Sequence, residues 1–265
     1  MNYIIIGSSQ GIGFEIANFL KTKNNLILCS RKKTIFQTKL FEDHEFIKID
    51  ATNIKDIKKL SFKLKAKKIK LDGAIFCQGL LGSPIDIFDI KEKNRWQKIF
   101  ETNFNSNLNL IRYLLPFIKK KSFSKIIFFS GGGAFNTWPK FSAYSISKTA
   151  LVRYSENLAE ELKNQKIIVT CLAPGFINTK IHQENFLKLN KLNKKYRDEL
   201  KKNKNTEPNF KNIVELTNYV LKSKSMLISG KTISANYDPW RSKNFLNLLK
   251  KNKQFLTLSR INIKN

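Results

Sequence analysis

Short, almost wholly apolar blocks recur along this chain with amphipathic stretches of helical length between them, and this alternation restricts the fold more than any other feature. The blocks fall at residues 3–6, 26–29, 46–49, 74–76, 126–129, 167–172 and 226–228. Unbroken hydrophobicity over so few residues suits strands buried on both faces of a parallel sheet. The segments between them space their apolar residues three and four apart. Residues 11–23 carry Ile12, Ile16, Phe19 and Leu20 on one stripe, and residues 56–67 carry Ile57, Leu60 and Leu64. Strand and helix in strict alternation predict an α/β, doubly wound, three-layer fold on a seven-stranded parallel sheet.

No repeat, Pro-rich linker or low-complexity tract divides the chain, so residues 1–240 read as one domain. Within it, the Lys- and Asn-rich residues 181–205 interrupt the alternation after Pro174-Gly175 and are expected to form a mobile helical lid over the site. Residues 241–265 read as a helical basic tail, with Phe245, Leu246, Leu248 and Leu249 followed by a poorly specified end. Of the 265 residues 42% are hydrophobic, enough to bury a sizeable core. No apolar run approaches the ~20 residues of a membrane span. The run at 3–6 stops at Gly7, which suits a strand and not a targeting segment.

Lys and Arg total 49 against 20 acidic residues, a formal charge of +29. That charge admits a phosphate-binding surface. It is spread over solvated helix faces such as 55–70 and 188–204, however, so compositional bias accounts for it and no nucleic-acid partner is expected. Cys29, Cys77 and Cys171 lie far apart and only two histidines accompany them. This excludes a disulfide framework and a structural metal site, and suits a reduced, cytoplasmic compartment.

Directly after the first block comes Gly7-Ser8-Ser9-Gln10-Gly11-Ile12-Gly13, opening the first helix. Glycines there let the backbone turn sharply and approach a pyrophosphate, which the helix N-terminus receives through Ser9, Gln10, Gly11 and Ile12. Further on, Tyr144-Ser145-Ile146-Ser147-Lys148 places a phenol and an ammonium one helical turn apart. A cation beside a tyrosine stabilises its phenolate and brings a pKa of ~10 toward the working range.

The G-x-x-x-G-x-G spacing with a later Y-x-x-x-K resembles the short-chain dehydrogenase/reductase family, over roughly residues 2–180. The resemblance implies a Rossmann-like NAD(P)-binding oxidoreductase that interconverts a carbonyl and a secondary alcohol, with Tyr144 as general acid/base and Lys148 lowering its pKa. It implies a homodimer or homotetramer acting on a small-molecule substrate. Ser30 and Arg31 follow the second block where an acidic residue would accept the adenosine ribose; a guanidinium there would pair with a 2′-phosphate, so NADP(H) is favoured over NAD(H). Asp50-Ala51 resembles the adenine-contacting position, although Asp50 is equally suited to cap the next helix. Only Gly79 survives of the family's Asn-Asn-Ala-Gly turn, because Phe76, Cys77 and Gln78 replace the rest. Asn103 matches the family's asparagine, which would hold a water joining Lys148 to solvent. The family's hydroxyl thirteen residues before the tyrosine falls on Gly131; Ser130 is the nearest substitute, with Ser142 or the glycine-loop amides as alternatives. Pro174, Gly175, Ile177 and Thr179 match the segment contacting the nicotinamide. A cofactor-binding scaffold without turnover and a basic nucleic-acid binder are the rival readings.

Overall fold

The structure, a computed structural model, describes residues 1–33, 40–86, 88 and 93–260. Its strands are β1 (Asn2–Ile6), β2 (Asn25–Ser30), β3 (Glu45–Lys48), β4 (Gly73–Phe76), β5 (Lys125–Phe129), β6 (Ile168–Ala173) and β7 (Lys231–Ser234). They pair in parallel in the order β3-β2-β1-β4-β5-β6-β7. Ile4, Ile6, Phe76 and Phe128 face one layer, against Leu60, Leu110 and Val152 of α2 (Ile54–Ala66), α4 (Ser106–Leu114) and α5 (Ser142–Leu162). Tyr3, Ile5, Ile75 and Ile127 face the other, against Ile16 of α1 (Gly11–Leu20) and Leu216 of α8 (Lys211–Lys222). Burial on both faces is why these blocks lack a polar alternate, and each enclosed isoleucine contributes roughly 1.5–3 kcal/mol.

The chain leaves β1 toward β2 on one side and returns to β4 on the other. Ile6 therefore lies beside both Cys29 and Phe76, and a crevice opens where the order reverses. Between α3 (Lys93–Phe100) and α4, residues Glu101–Asn105 form one π-helical turn. Beyond β6 lie the short α6 (Gln183–Phe186) and α7 (Lys194–Asn203), and α9 (Phe245–Lys251) follows β7.

Four local expectations are corrected. Met226–Ile228 is a 3-10 turn, started by the Ser225 side chain accepting from the Leu227 N–H. The strand begins after Gly230, whose φ of +73° turns the chain into the sheet. Phe19 lies off the buried stripe of α1 and is 50% exposed. Asn53, and not Asp50, caps α2 by accepting from the Lys55 N–H at 2.9 Å. The tail after α9 is also well specified up to Leu258. Lys231 Nζ donates to the carbonyls of Lys253 and Phe255, the Thr232 N–H to Leu256 O, and the Leu258 N–H to Glu156 Oε1. Residues 261–265 of the expected tail lie outside the described residues. No described helix is long and apolar enough to cross a membrane.

Candidate active site

A cleft of about 2150 Å³ runs along the C-terminal ends of the strands, from Arg31 and Asp50 at one end to His182 and Phe186 at the other. Its floor is the turn after β1. Gly7 has φ +83°, and a Cβ there would lie 2.8 Å from Gln78 N; one on Gly13 would lie 2.3 Å from Gly7 O. The turn is thus pressed against the end of β4, and α1 starts at Gly11, aiming its free N–H groups into the cleft. Gly7, Ser9, Gln10, Gly11 and Ile12 line the cleft, whereas Gly13 supports it from behind. This cradle of backbone amides fits a pyrophosphate.

At the end of the cleft beyond β2, the exposed Arg31 and the half-buried Asp50 and Ala51 line the wall. Burial raises the Asp50 pKa, but the Thr52 N–H and hydroxyl and the Arg31 charge outweigh it and hold the carboxyl below its ordinary value. Ser30 Oγ donates to Lys32 O at 2.8 Å, so its hydroxyl shapes the Arg31 turn.

Tyr144 and Lys148 sit on the first turns of α5, both buried. Lys148 Nζ donates to Phe129 O at 2.8 Å and lies 5.9 Å from the Tyr144 ring centre. Burial lowers the Lys148 pKa to about 8, opposed by Cys171 and Cys77. Burial also pushes Tyr144 up to about 12. In the ligand-free cleft, desolvation of the phenolate is the leading influence on Tyr144, and the Lys148 ammonium is hydrogen-bonded to a carbonyl.

Asn103 is fully buried in the π-helical turn, a deviation common at functional sites. Its Oδ1 accepts from the Leu80 N–H at 2.7 Å, and its Nδ2 donates to Leu80 O and Ser147 Oγ. These bonds fix the loop at Gly79. A Cβ on Gly79 would lie 3.6 Å from Lys148 Nζ. Gln78 Nε2 donates to Asn107 Oδ1 at 2.9 Å, tying the same loop to α4.

A Cβ on Gly131 would stand 2.4 Å from Tyr144 Oη, so the tyrosine hydroxyl already fills the space of the missing side chain. Ser130 is buried and lines the cleft, whereas Ser142, half-buried at the start of α5, is not among its lining residues. On the far side, Gly175 at φ +79° presses against Asn236, whose Nδ2 donates to Pro174 O. Ile177 O accepts from the Thr179 N–H at 2.7 Å. Pro174, Gly175, Ile177 and Thr179 all line the cleft.

Several of residues 181–205, among them His182, Asn193 and Tyr196, line the cleft. Leu192, Tyr196 and Leu200 pack with Leu81, Ile99, Phe141 and Tyr144. Three wall residues have no signal in sequence spacing: Trp138, His182 and Tyr196. His182 Nδ1 and Tyr196 Oη are 2.8 Å apart, and burial lowers His182 to about 4, leaving it neutral at pH 7. Among the described residues no cluster of His, Cys, Asp and Glu could hold a metal, and all three cysteines are free.

Fold and cleft define a dinucleotide-binding oxidoreductase. The short chain dehydrogenase family model matches residues 2–190, and the chain belongs to that family. It is 30% identical over 178 residues to an uncharacterized oxidoreductase of Schizosaccharomyces pombe, covering 66% of this chain and 70% of that one. It is 27% identical over 195 residues to a benzil reductase ((S)-benzoin forming) of Saccharomyces cerevisiae, covering 68% and 73%. Among solved structures, an actinorhodin polyketide ketoreductase with NADPH superposes with a TM-score of 0.75 at 17% identity, over 89% of this chain and 97% of that one.

Proposed function

We propose that this protein is an NADP(H)-dependent carbonyl reductase, one domain carrying its own lid, in which Tyr144 delivers the proton. The observation that carries the reading is the buried Tyr144–Lys148 pair at the floor of a cleft that begins in the glycine cradle. A bound nicotinamide cofactor supplies the hydride. Tyr144, kept protonated at neutral pH by burial, donates from Oη as negative charge develops on the carbonyl oxygen. Lys148, still mostly charged at pH 7 and anchored on Phe129 O, stabilises the phenolate left behind and binds the cofactor ribose. Asn103 and Gly79 hold the adjoining loop, and Pro174, Gly175, Ile177 and Thr179 seat the nicotinamide. Ser130, after rotation, or the Gly132–Gly133 amides orient the substrate oxygen.

Arg31 at the adenosine end supports NADP(H) over NAD(H), because its guanidinium suits a 2′-phosphate. The S. cerevisiae relative is named for forming (S)-benzoin, an alcohol, from benzil, which agrees with carbonyl reduction. NADPH consumption across a carbonyl panel tests the reading: Tyr144→Phe is expected to lose roughly 10²–10⁴-fold in kcat/KM while retaining NADPH binding. NADPH binding without Tyr144-dependent turnover would establish the scaffold reading, which the glycine at 131 favours.

A further inference from the structure

Resting on the reductase reading, we propose that the substrate is a neutral aryl ketone or aldehyde whose ring packs on Trp138, Phe176 and Phe186. These three rings line the lid end of the cleft and are only half-buried, so each leaves surface for a ligand. The first two are held from behind. Trp138 meets Tyr196 at 4.9 Å and Tyr144 at 5.6 Å, both edge to face at 89° and 88°. Phe176 stacks on His182 at 4.5 Å, and Tyr196 holds His182 by a hydrogen bond.

A rigid aromatic wall rewards a planar ring over a puckered one, since edge-to-face and offset contacts add to the burial of apolar area. Because Trp138 touches the Tyr144 ring, a substrate ring seated on Trp138 brings a carbonyl bonded directly to that ring toward Tyr144 Oη. The neutral imidazole of His182 puts no cation in the wall, Lys180 and Lys195 stand exposed at its rim, and the half-buried Glu199 carboxyl disfavours anionic ligands.

Acetophenone and cyclohexyl methyl ketone share a skeleton and differ in ring planarity, so their ratio of kcat/KM reads the wall. Trp138→Leu is expected to reduce the aryl preference about tenfold relative to the parent protein, whereas Lys195→Gln at the exposed rim leaves it within about twofold. An aryl preference unchanged in Trp138→Leu overturns the proposal. Calorimetric titration of both ketones into the NADP⁺-loaded protein, which carries no hydride to transfer, reads the aryl preference in binding alone. A Trp138-dependent aryl preference in binding with no reduction of either ketone overturns the reductase reading and leaves the wall standing; equal affinities overturn the wall.

Discussion

Gly131 gives the sharpest test of the site, because resemblance and geometry predict opposite outcomes for one substitution. Matching the family's hydroxyl by Gly131→Ser ought to improve the enzyme if the glycine were merely a lost serine. The structure says otherwise. A Cβ at 131 would lie 2.4 Å from Tyr144 Oη, 3.2 Å from Cζ and 3.4 Å from Cε1. Carbon contacts relax at about 3.5–4.0 Å, so the phenol must retreat by about 1 Å. It cannot rotate aside freely, since its ring stands edge-on to Trp138 and is buried against the lid. A 1 Å displacement of a reacting group costs on the order of 100-fold, equivalent to about 2.7 kcal/mol of barrier. The extra volume further destabilises the fold by about 1–3 kcal/mol. Steady-state kinetics with NADPH should therefore show kcat/KM of Gly131→Ser reduced about 100-fold, with Tm lowered and NADPH affinity kept. Gly131→Ala should match it, which assigns the loss to the Cβ. If the serine variant equals or exceeds the parent protein, the steric reasoning is refuted.

Two further outcomes follow from charged residues lining the cleft. Arg31→Asp should reverse the coenzyme preference, raising KM for NADPH at least tenfold while sparing NADH, read from paired titrations; an unchanged preference would remove the 2′-phosphate assignment. Lys148 has its folded pKa lowered to about 8 from 10.5, so between those values the unfolded chain binds the extra proton and stability contributed at this site rises with pH. Lys148→Met should abolish most reductase activity yet raise Tm at pH 7, with the Tm advantage shrinking as pH rises from 8 to 10.5. A constant advantage across that window would contradict the buried-lysine account.

The sheet was legible in the sequence because parallel strands buried on both faces carry no polar alternate, and the glycine turn because its close approaches admit no Cβ. Six of the seven strands fall within a residue of the expected positions at both ends. The seventh was misplaced because Met226, Leu227 and Ile228 are as apolar as a strand, while the true β7 begins with a lysine buried by its bonds to tail carbonyls. At the site, Tyr144 and Lys148 announce themselves by a spacing that local helix geometry enforces. Trp138, His182 and Tyr196 do not, since they meet only through tertiary packing of a loop and a lid separated by dozens of residues. The degree of burial was equally hidden: a short spacing places the cation near the phenol, but the packing that desolvates both groups is tertiary.

The strap formed by residues 252–258 closes the outer side of β7, whose amide at Thr232 would otherwise offer itself to another chain. Because the strap comes after every strand in order, a ribosome releases a complete sheet before it releases the cover. At ~5–20 residues per second, the edge stands open for roughly one to five seconds of synthesis. That interval is the moment in this protein's life when strand-to-strand capture by a neighbouring nascent chain competes most directly with folding.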